Sequence, residues 1–471
     1  MKLVASSLVL LVSLGAVLAD AQSFQHVVVI FQENRSPDNL FQGLCGPGRK
    51  LCPQPYNLQN FGIDKSGNQV PLVQTPLGVA FDPDHSHSGF VTMCDPDPVT
   101  NTCRMDGLPT TGCPSGQCWY SYVQSSDVGP YLVLAQQYGW ANYMFQTNQG
   151  PSTPAHAFIF GGTAAPTAAA DAQAIFVSEQ PQNGPPTGCL APLGEYYWMI
   201  SPQTAPNQYQ LVNNVLGTFC FSHPTMATLL DNHVPPLSWK YYTPGVSSVW
   251  TAPNSIQQIC VPDSNYQQCT GPEWNNNVDL NPADVLTDIG ACKLPNMTWV
   301  IPTGQNSDHP VKTKWTGGPS WVASIVNAIG GSPCKNPDGS SYWNSTAIFI
   351  TWDDWGGWYD HVPPTILSLP NAGQGDYQYG FRVPLVVVSA YTPLGYVNNA
   401  RHDFGSILRF VEHNFGITEG ALNFADARAT NNLTGFFNWS LPPRPFHVIP
   451  APMGADYFLH DKRPMEPPDD E

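Results

Sequence analysis

Two short segments of the sequence carry oxygen-rich side chains that could bind a divalent cation. The first contains Glu33 and Asn34, and the second contains the adjacent acids Asp353 and Asp354. Carboxylate and amide oxygens are ligands of hard cations, and two adjacent carboxylates repel each other unless a cation or a proton lies between them. The tryptophans around the second segment disfavour a solvated acidic turn there. For the first segment, an ordinary turn remains an alternative.

Ser152 is a candidate nucleophile. It lies between Gly150 and Pro154, and a proline suits the first turn of a helix, so we expect Ser152 at a helix N-terminus. The free N–H groups and the dipole of such a terminus stabilise an anion. An ordinary helix-capping serine is the alternative. The sequence around Ser152 lacks the G-x-S-x-G pattern, which disfavours an α/β-hydrolase triad.

Two histidines have sequence neighbours that suit a role in proton transfer. His85 and His309 each follow an aspartate directly. Imidazole can transfer protons near neutral pH, donate a hydrogen bond to a phosphoryl oxygen or ligate a metal. For each histidine taken alone, a purely structural role remains an alternative.

These segments follow predicted strands. Apolar runs at 26–31, 143–145, 347–351 and 383–389 are short and rich in Val, Ile and Phe, which is typical of buried strands in an α/β sheet. The first three lead directly into the polar segments, and open α/β sheets place their sites at the carboxyl ends of strands. Apolar periodicity predicts helices at 320–329 and from a cap at Asp403 to near Gly416.

The composition limits the kind of protein this can be. The chain has 471 residues, 42% of them hydrophobic, and a formal net charge of −17, so it can bury a large core but disfavours nucleic-acid partners. Residues 1–21 read as a cleaved secretory signal, which predicts a secreted or periplasmic protein. We expect a catalytic domain at 22–441, with an insertion or cap at about 165–300, and a Pro-rich acidic tail at 442–471.

All twelve cysteines lie beyond the predicted signal, as expected for disulfides in an oxidising compartment. Zinc is a weaker explanation, because the cysteines do not form paired C-x-x-C modules. No apolar run after the signal reaches the roughly 18 residues of a transmembrane helix. The disulfides predicted from short spacing are Cys45–Cys52, Cys94–Cys103, Cys113–Cys118 and Cys260–Cys269.

From about residue 25 to 440 the chain resembles the bacterial phosphoesterase family that contains phospholipases C and secreted acid phosphatases, within the alkaline-phosphatase-like superfamily. The resemblance rests on several motifs that occur in the expected order. These motifs are residues 27–36, 150–154, 308–310, 353–362, 382–384 and 406–410.

The resemblance implies a three-layer α/β/α fold and metal-dependent hydrolysis with Ser152 as the nucleophile. It places one divalent ion, of unknown identity among Ca, Mg, Mn and Zn, at Glu33, Asn34, Asp353 and Asp354. It assigns phosphate contact or proton transfer to His85 and His309. The further substrate contacts that we predict on this basis are His361, His156 and His402.

The sequence departs from the family pattern beside the nucleophile, where Ala155 and His156 follow Pro154 although the family often has Asn and then Arg or His. Asp354 stands where Glu is frequent. Sulfatases of the superfamily require Arg at the position of His156, so the sequence favours phosphate esters over sulfate esters.

The predicted function is that of a secreted acid phosphatase, with phospholipase C acting on phospholipid head groups as the alternative. The chain ends soon after the core, which favours the phosphatase. A non-catalytic metal- or ligand-binding protein on the same scaffold is a second alternative, which the presence of Ser152 disfavours. The sequence leaves the oligomeric state open.

Overall fold

The central feature of the fold is a mixed sheet of eight strands. A computed structural model describes residues 23–46, 50–100, 102–112, 118–181, 185–192, 196–201, 210–216, 219–368 and 376–468. The strands of the central sheet, numbered along the chain, are β1 (His26–Gln32), β2 (Gly139–Met144), β3 (Trp239–Tyr242), β4 (Val278–Asp279), β5 (Met297–Val300), β6 (Thr346–Trp352), β7 (Leu385–Val388) and β8 (Tyr396–His402). Their spatial order is β4-β3-β5-β1-β6-β7-β2-β8.

β1 lies inside the sheet, and all seven of its residues are buried. Its parallel neighbours are β5 and β6, with Val29 opposite Trp299 on one side and Phe349 on the other. A strand covered on both faces needs a continuous apolar run, which residues 27–31 supply. β7 runs antiparallel to β6 and β2, whereas the other neighbours are parallel. The carboxyl ends of the other seven strands therefore share one edge.

The described residues also contain twelve α-helices. They are α1 (Pro37–Leu40), α2 (His87–Cys94), α3 (Gly129–Gln137), α4 (Ser152–Gly161), α5 (Ala168–Ala172), α6 (Met226–Asp231), α7 (Pro272–Asn277), α8 (Asp284–Gly290), α9 (Gly318–Gly330), α10 (Phe404–Asn414), α11 (Ala425–Arg428) and α12 (Ala455–Leu459). The longest, α9, has 13 residues. None of the helices in the described ranges combines the length and apolar character that crossing a bilayer requires.

Helices cover both faces of the sheet. Phe349 and Trp352 of β6 point to opposite faces, because side chains alternate along a strand. Phe349 contacts Phe410 of α10, with ring centroids 4.8 Å apart, and Trp352 contacts Tyr131 of α3 at 5.1 Å. α10 packs with α4 and α11, whereas α3 packs with α9. The predicted α/β fold with three layers is therefore confirmed.

Short strands outside the central sheet pair in small sheets of two or three strands. In the described ranges they are Phe61–Ile63, Gln69–Pro71, Val73–Thr75, Ser121–Val123, Phe176–Val177, Tyr196–Ser201, Gln210–Leu216, Val261–Pro262, Cys269–Thr270, Ile366–Ser368 and Asp376–Gln378.

The predicted strands match β1, β2, β6 and β7, and the two predicted helices match α9 and α10. Asp403 caps α10 as expected, since its side chain accepts a hydrogen bond from the Ser406 backbone. The range 165–300 requires a correction. It is not only an insertion or cap, because β3, β4 and β5 belong to it and extend the central sheet. These strands have only two to four residues each and do not stand out among the surrounding Pro, Gln and Asn.

Disulfides cross-link the described part of the chain at five places. Three of them confirm the predictions, namely Cys45–Cys52, Cys94–Cys103 and Cys260–Cys269. Two more join cysteines 31 and 42 residues apart, Cys189–Cys220 and Cys292–Cys334, which spacing alone does not reveal. The fourth predicted disulfide, Cys113–Cys118, involves a cysteine outside the described residues, Cys113. The predicted signal at 1–21 also lies outside them. Five disulfides are typical of an oxidising compartment.

The C-terminal segment, predicted as a tail from residue 442, packs along the core as far as residue 468. Asn327 of α9 forms two hydrogen bonds with the backbone of Ile449, at 2.8 and 2.9 Å. Farther along, the backbone carbonyl of Glu466 accepts a hydrogen bond from the Gly304 N–H at 2.8 Å. The segment therefore contacts the loop that follows β5.

Candidate functional site

The carboxyl end of β1 places Glu33 and Asn34 at the edge of the sheet, with both side chains fully buried. Asn34 has a left-handed backbone conformation, with φ of 59°, which asparagine tolerates better than most residues. Its backbone N–H donates to Asp353 Oδ1 at 3.0 Å. The turn after β1 is therefore bonded directly to the acids that follow β6.

Asp353 and Asp354 leave β6 in a tight, buried turn. The backbone N–H of Asp354 donates to Asp353 Oδ1 at 2.7 Å, and that of Gly356 donates to Asp354 Oδ1 at 2.7 Å. Gly356 has φ of 63°, and a Cβ added to it would lie 2.0 Å from the Asn34 carbonyl oxygen. The glycine therefore permits the close approach of the two polar segments.

Gly356→Ala is expected to lower the free energy of unfolding by more than the cost of placing alanine in a left-handed backbone conformation. A left-handed conformation costs alanine about 1–2 kcal/mol, and the clash with the Asn34 carbonyl adds to that cost. The matched control is Gly339→Ala, because Gly339 has φ of 85° but nothing within 4 Å of an added Cβ. Denaturant unfolding measures both variants. Equal losses of stability in the two would contradict the importance of this contact.

Ser152 is the first residue of α4, as the sequence predicted, and it is fully buried. Its Oγ donates a hydrogen bond to Asp354 Oδ2 at 3.2 Å. Asn148 Nδ2 holds the preceding turn by donating to the carbonyl oxygens of Gly150 and Pro151, at 2.7 and 3.1 Å. The hydroxyl therefore lies between a helix N-terminus, which favours negative charge, and a carboxyl group.

The electrostatics of the acid pair favour a bound cation. Burial, and then the charge of Asp353, raise the pKa of Asp354 well above its ordinary value. Within the described ranges, the buried atoms Asp353 Oδ2 and Asn34 Oδ1 have no hydrogen-bond partner. Buried polar atoms of this kind are costly unless water or an ion satisfies them. The donor set therefore fits the divalent ion that the sequence predicted.

His156 lies in the same cluster. Its Nε2 is 3.8 Å from Asp353 Oδ2, and ligand atoms of Glu33, His156 and Asp353 all lie within 4.8 Å of one another. Burial lowers the pKa of His156 to about 4, although the charge of Asp353 opposes the shift, so the ring is neutral at pH 7. We predicted His156 as a substrate contact, and the structure places it beside two predicted metal ligands.

His85 and His309 both contact Asn34, whose Nδ2 lies 3.0 Å from His85 Nε2 and 3.1 Å from His309 Nε2. His85 Nδ1 is 2.8 Å from the carbonyl oxygen of Pro83, which can only accept. In the neutral ring, Nδ1 therefore carries the proton and Nε2 accepts from the amide. This bonding directs the amide nitrogen of Asn34 to the histidines and leaves Oδ1 for another partner.

Comparison with known proteins decides the family. The model of the phosphoesterase family matches residues 24–418. The chain belongs to the phosphoesterase family. The resemblance found in the sequence is therefore confirmed, and the matched range contains Ser152 and both predicted metal-binding segments.

Curated relatives of this chain carry the name phospholipase C. The non-hemolytic phospholipase C of Pseudomonas aeruginosa is 23% identical over 92% of this chain and 60% of its own length. Phospholipase C A of Mycobacterium tuberculosis is 24% identical over 89% of this chain and 78% of its own length. The chain thus spans less than two thirds of the Pseudomonas relative.

Solved structures with some similarity to this chain share little sequence with it. A protein in the alkaline phosphatase superfamily from Vibrio parahaemolyticus is 10% identical, with a TM-score of 0.35, over 84% of this chain and 67% of its own. Ps i-CgsB in complex with k-i-k-neocarrahexaose is 9% identical, with a TM-score of 0.39, over 88% and 75% of the two chains. Similarity at this level adds nothing to the fold already described.

Asp308 anchors the loop that carries His309. Its Oδ2 accepts hydrogen bonds from Tyr131 Oη and Trp352 Nε1, both at 2.9 Å. Arg35 Nε donates to the Asp308 carbonyl oxygen at 2.8 Å. Burial raises the pKa of Asp308 to about 6, and the charge of Arg35 opposes the shift. The sequence motifs contained Asp308 and Arg35, but they did not reveal that Tyr131 and Trp352 bind the Asp308 carboxylate.

The two remaining predicted substrate contacts are His361 and His402, and each is hydrogen-bonded to a residue outside the proposed metal-binding cluster. His361 Nδ1 is 2.6 Å from Asp38 Oδ2. His402 ends β8, and its Nδ1 is 2.6 Å from Asn431 Oδ1. Burial lowers the pKa of His402 to about 4. Both rings therefore have partners within the protein, and a substrate contact by either one stays a prediction.

Sequence reasoning missed two neighbours of the site. The Trp250 ring centroid lies 5.1 Å from that of His156 and 6.1 Å from that of His309. Trp250 comes from the range 165–300, where weak periodicity gave no signal. Asp82 joins His85 and His309 in a second group of potential ligand atoms. Its position three residues before His85 was the signal available for it.

Proposed function

We propose that this chain is a secreted, metal-dependent phosphoesterase that acts through a phosphoserine at Ser152. The observation that carries the proposal is the 3.2 Å hydrogen bond from Ser152 Oγ to Asp354 Oδ2 at the N-terminus of α4. A helix N-terminus and a bound cation both favour an ionised hydroxyl, which is the nucleophilic form. The family match supports this class of reaction, and the disulfides support secretion.

The chain's own groups supply the steps. The ionised Ser152 Oγ attacks phosphorus, the bond from phosphorus to the leaving oxygen breaks, and His309 or His85, in its protonated form, gives that oxygen a proton. Burial holds the pKa of His309 well below its ordinary value, so an anionic substrate is needed to favour the protonated ring. Water then attacks the phosphoserine and gives a proton back to the same histidine, while the bond from phosphorus to Ser152 Oγ breaks; this releases phosphate or a phosphorylated head group and restores the ionised Ser152.

Four predicted ligands would hold the ion: Glu33, Asn34, Asp353 and Asp354. A divalent ion supplies Lewis-acid stabilisation of the attacking oxygen and of the charge on the phosphoryl group. The chain needs this help, because its net charge of −17 repels anionic substrates. The buried acid pair becomes favourable for phosphate only when a cation offsets it.

Removal of the divalent ion is expected to abolish activity. Dialysis against a chelator should lower turnover at least about 100-fold, equivalent to ~3 kcal/mol of transition-state stabilisation, because Asp353 and Asp354 would then repel the substrate. Adding back a divalent ion should restore the rate. Full activity in protein shown by elemental analysis to be metal-free would contradict the proposed role of the acid pair.

We propose a small phosphate monoester as the first candidate substrate and a phospholipid head group as the second. Ser152 is fully buried, so a substrate reaches it only when covering side chains move. A compact ester requires the smaller displacement, which favours the acid phosphatase. The names of the relatives in Pseudomonas and Mycobacterium support phospholipase C as the second candidate.

Two assays run in parallel across pH separate the candidates. One measures phosphate released from p-nitrophenyl phosphate, and the other measures phosphocholine released from phosphatidylcholine vesicles. Faster release of phosphate would support the acid phosphatase, and faster release of phosphocholine would replace it by phospholipase C. If neither substrate turns over while metal is bound, the non-catalytic alternative is favoured.

A further inference from the structure

His156 has an unusual environment for a buried histidine. Its side chain is fully buried, and in the described structure neither ring nitrogen has a hydrogen-bond partner. The aromatic rings of Phe31 and Trp250 pack against it at centroid distances of 5.8 and 5.1 Å and provide no acceptor at a ring nitrogen. Native proteins seldom leave a buried imidazole in this state unless a ligand, an ion or water satisfies it.

The ring is placed where such a ligand would lie. His156 follows Ser152 by four residues in α4, so the two side chains share one face of the helix. Its Nε2 is 3.8 Å from Asp353 Oδ2, which is too long for a hydrogen bond. Together with Glu33 and Asp353, which directly follow β1 and β6, His156 brings three potential ligand atoms within 4.8 Å of one another.

We propose that His156 is itself a metal ligand, which completes a mixed nitrogen and oxygen site with Glu33 and Asp353. This inference rests on the proposed function, and it replaces the substrate contact that we predicted for His156. An imidazole ligand favours Zn²⁺ and similar transition ions, whereas all-oxygen sites suit Mg²⁺ and Ca²⁺. The chain is therefore expected to prefer Zn²⁺ to Ca²⁺.

The test uses the full chain, stripped with a chelator and reloaded with Zn²⁺ or Ca²⁺. Zinc X-ray absorption spectroscopy should detect an imidazole ligand in the wild type and a weaker or absent imidazole signal in His156→Asn. Calorimetry should show at least an about tenfold loss of Zn²⁺ affinity in the variant, with a smaller change for Ca²⁺. The matched control is His223→Asn, because His223 is also buried but packs against Phe221 and Phe424 and lies beside Gly161, at the opposite end of α4 from Ser152.

Several results would overturn the inference. These are tighter binding of Ca²⁺ than of Zn²⁺, a zinc spectrum of the wild type without imidazole, and an unchanged spectrum and Zn²⁺ affinity in His156→Asn. They would leave the proposed phosphoesterase intact, whereas failure of the wild type to bind any divalent ion would remove both proposals. The spectrum of the wild type decides the question even if His156→Asn does not fold.

Discussion

Ser152→Ala is expected to lower turnover of p-nitrophenyl phosphate by at least about 10⁴-fold while the fold stays intact. The substitution removes the oxygen that would form the bond to phosphorus, and the other groups of the site cannot replace it. The lost hydroxyl also ends a 3.2 Å hydrogen bond to Asp354, which should cost no more than about 1.5 kcal/mol of stability. Steady-state kinetics and circular dichroism measure the two effects separately.

The conservative variant Ser152→Thr is the matched control. It keeps a hydroxyl on the same helix turn and should retain measurable turnover. Acid quenching during turnover of a ³²P-labelled phosphate ester should trap label on the wild type and on Ser152→Thr, but not on Ser152→Ala. Wild-type turnover in Ser152→Ala, or label trapped on that variant, would contradict the role of Ser152 as the nucleophile.

The strands that position the site could be predicted from the sequence because they are fully buried. β1 and β6 need apolar side chains on both faces, so each appears as a continuous apolar run followed at once by polar residues. Parallel strands end at one edge of the sheet, and this geometry brings Asn34 to Asp353 across 319 residues of chain. The two apolar runs therefore predict that Asn34 and Asp353 lie close together, although the residues are far apart in the sequence.

Other parts of the site depend on contacts that no local pattern encodes. Trp250 reaches His156 from a range whose central-sheet strands, β3, β4 and β5, are too short to show periodicity. The place of His156 had one signal, the spacing of four residues from Ser152, which puts both side chains on one helix face. Its 3.8 Å approach to Asp353 depends on how α4 packs against the sheet, and this packing is a tertiary property.

Arg382 illustrates the same limit, since its motif was recognised but its role depends on distant partners. It is fully buried, and its Nε and Nη2 donate to the two carboxylate oxygens of Asp360 at 2.8 and 2.9 Å. Its Nη1 donates to the carbonyl oxygens of Asn57 and Asn142, and its Nη2 lies 3.7 Å from Asp38. Asp38 follows the first metal-binding segment and Asp360 follows the second, so one guanidinium links them.

Arg382→Met is therefore expected to destabilise the fold by about 3–5 kcal/mol, because it leaves buried carboxylates without their cation. Burial already raises the pKa of Asp360, and the charge of Arg382 opposes this shift, so the variant should raise that pKa further. The folded variant then holds a proton that the unfolded chain releases above about pH 4, and its stability falls as the pH rises. The loss relative to wild type should be larger at pH 7 than at about pH 5 in denaturant unfolding.

The matched control for this prediction is Arg104→Met. Arg104 also pairs with an aspartate, with its Nη2 2.9 Å from Asp95 Oδ2, but its side chain is 44% exposed. Exposed ion pairs contribute no more than about 1 kcal/mol, so this variant should stay near wild-type stability at both pH values. If Arg382→Met loses no more stability than Arg104→Met, or loses equal amounts at both pH values, Arg382 does not hold the two segments by its charge. A large loss that depends on pH would instead show that the charge of Arg382 joins Asp38 in α1 to Asp360, the acids that follow the two metal-binding segments.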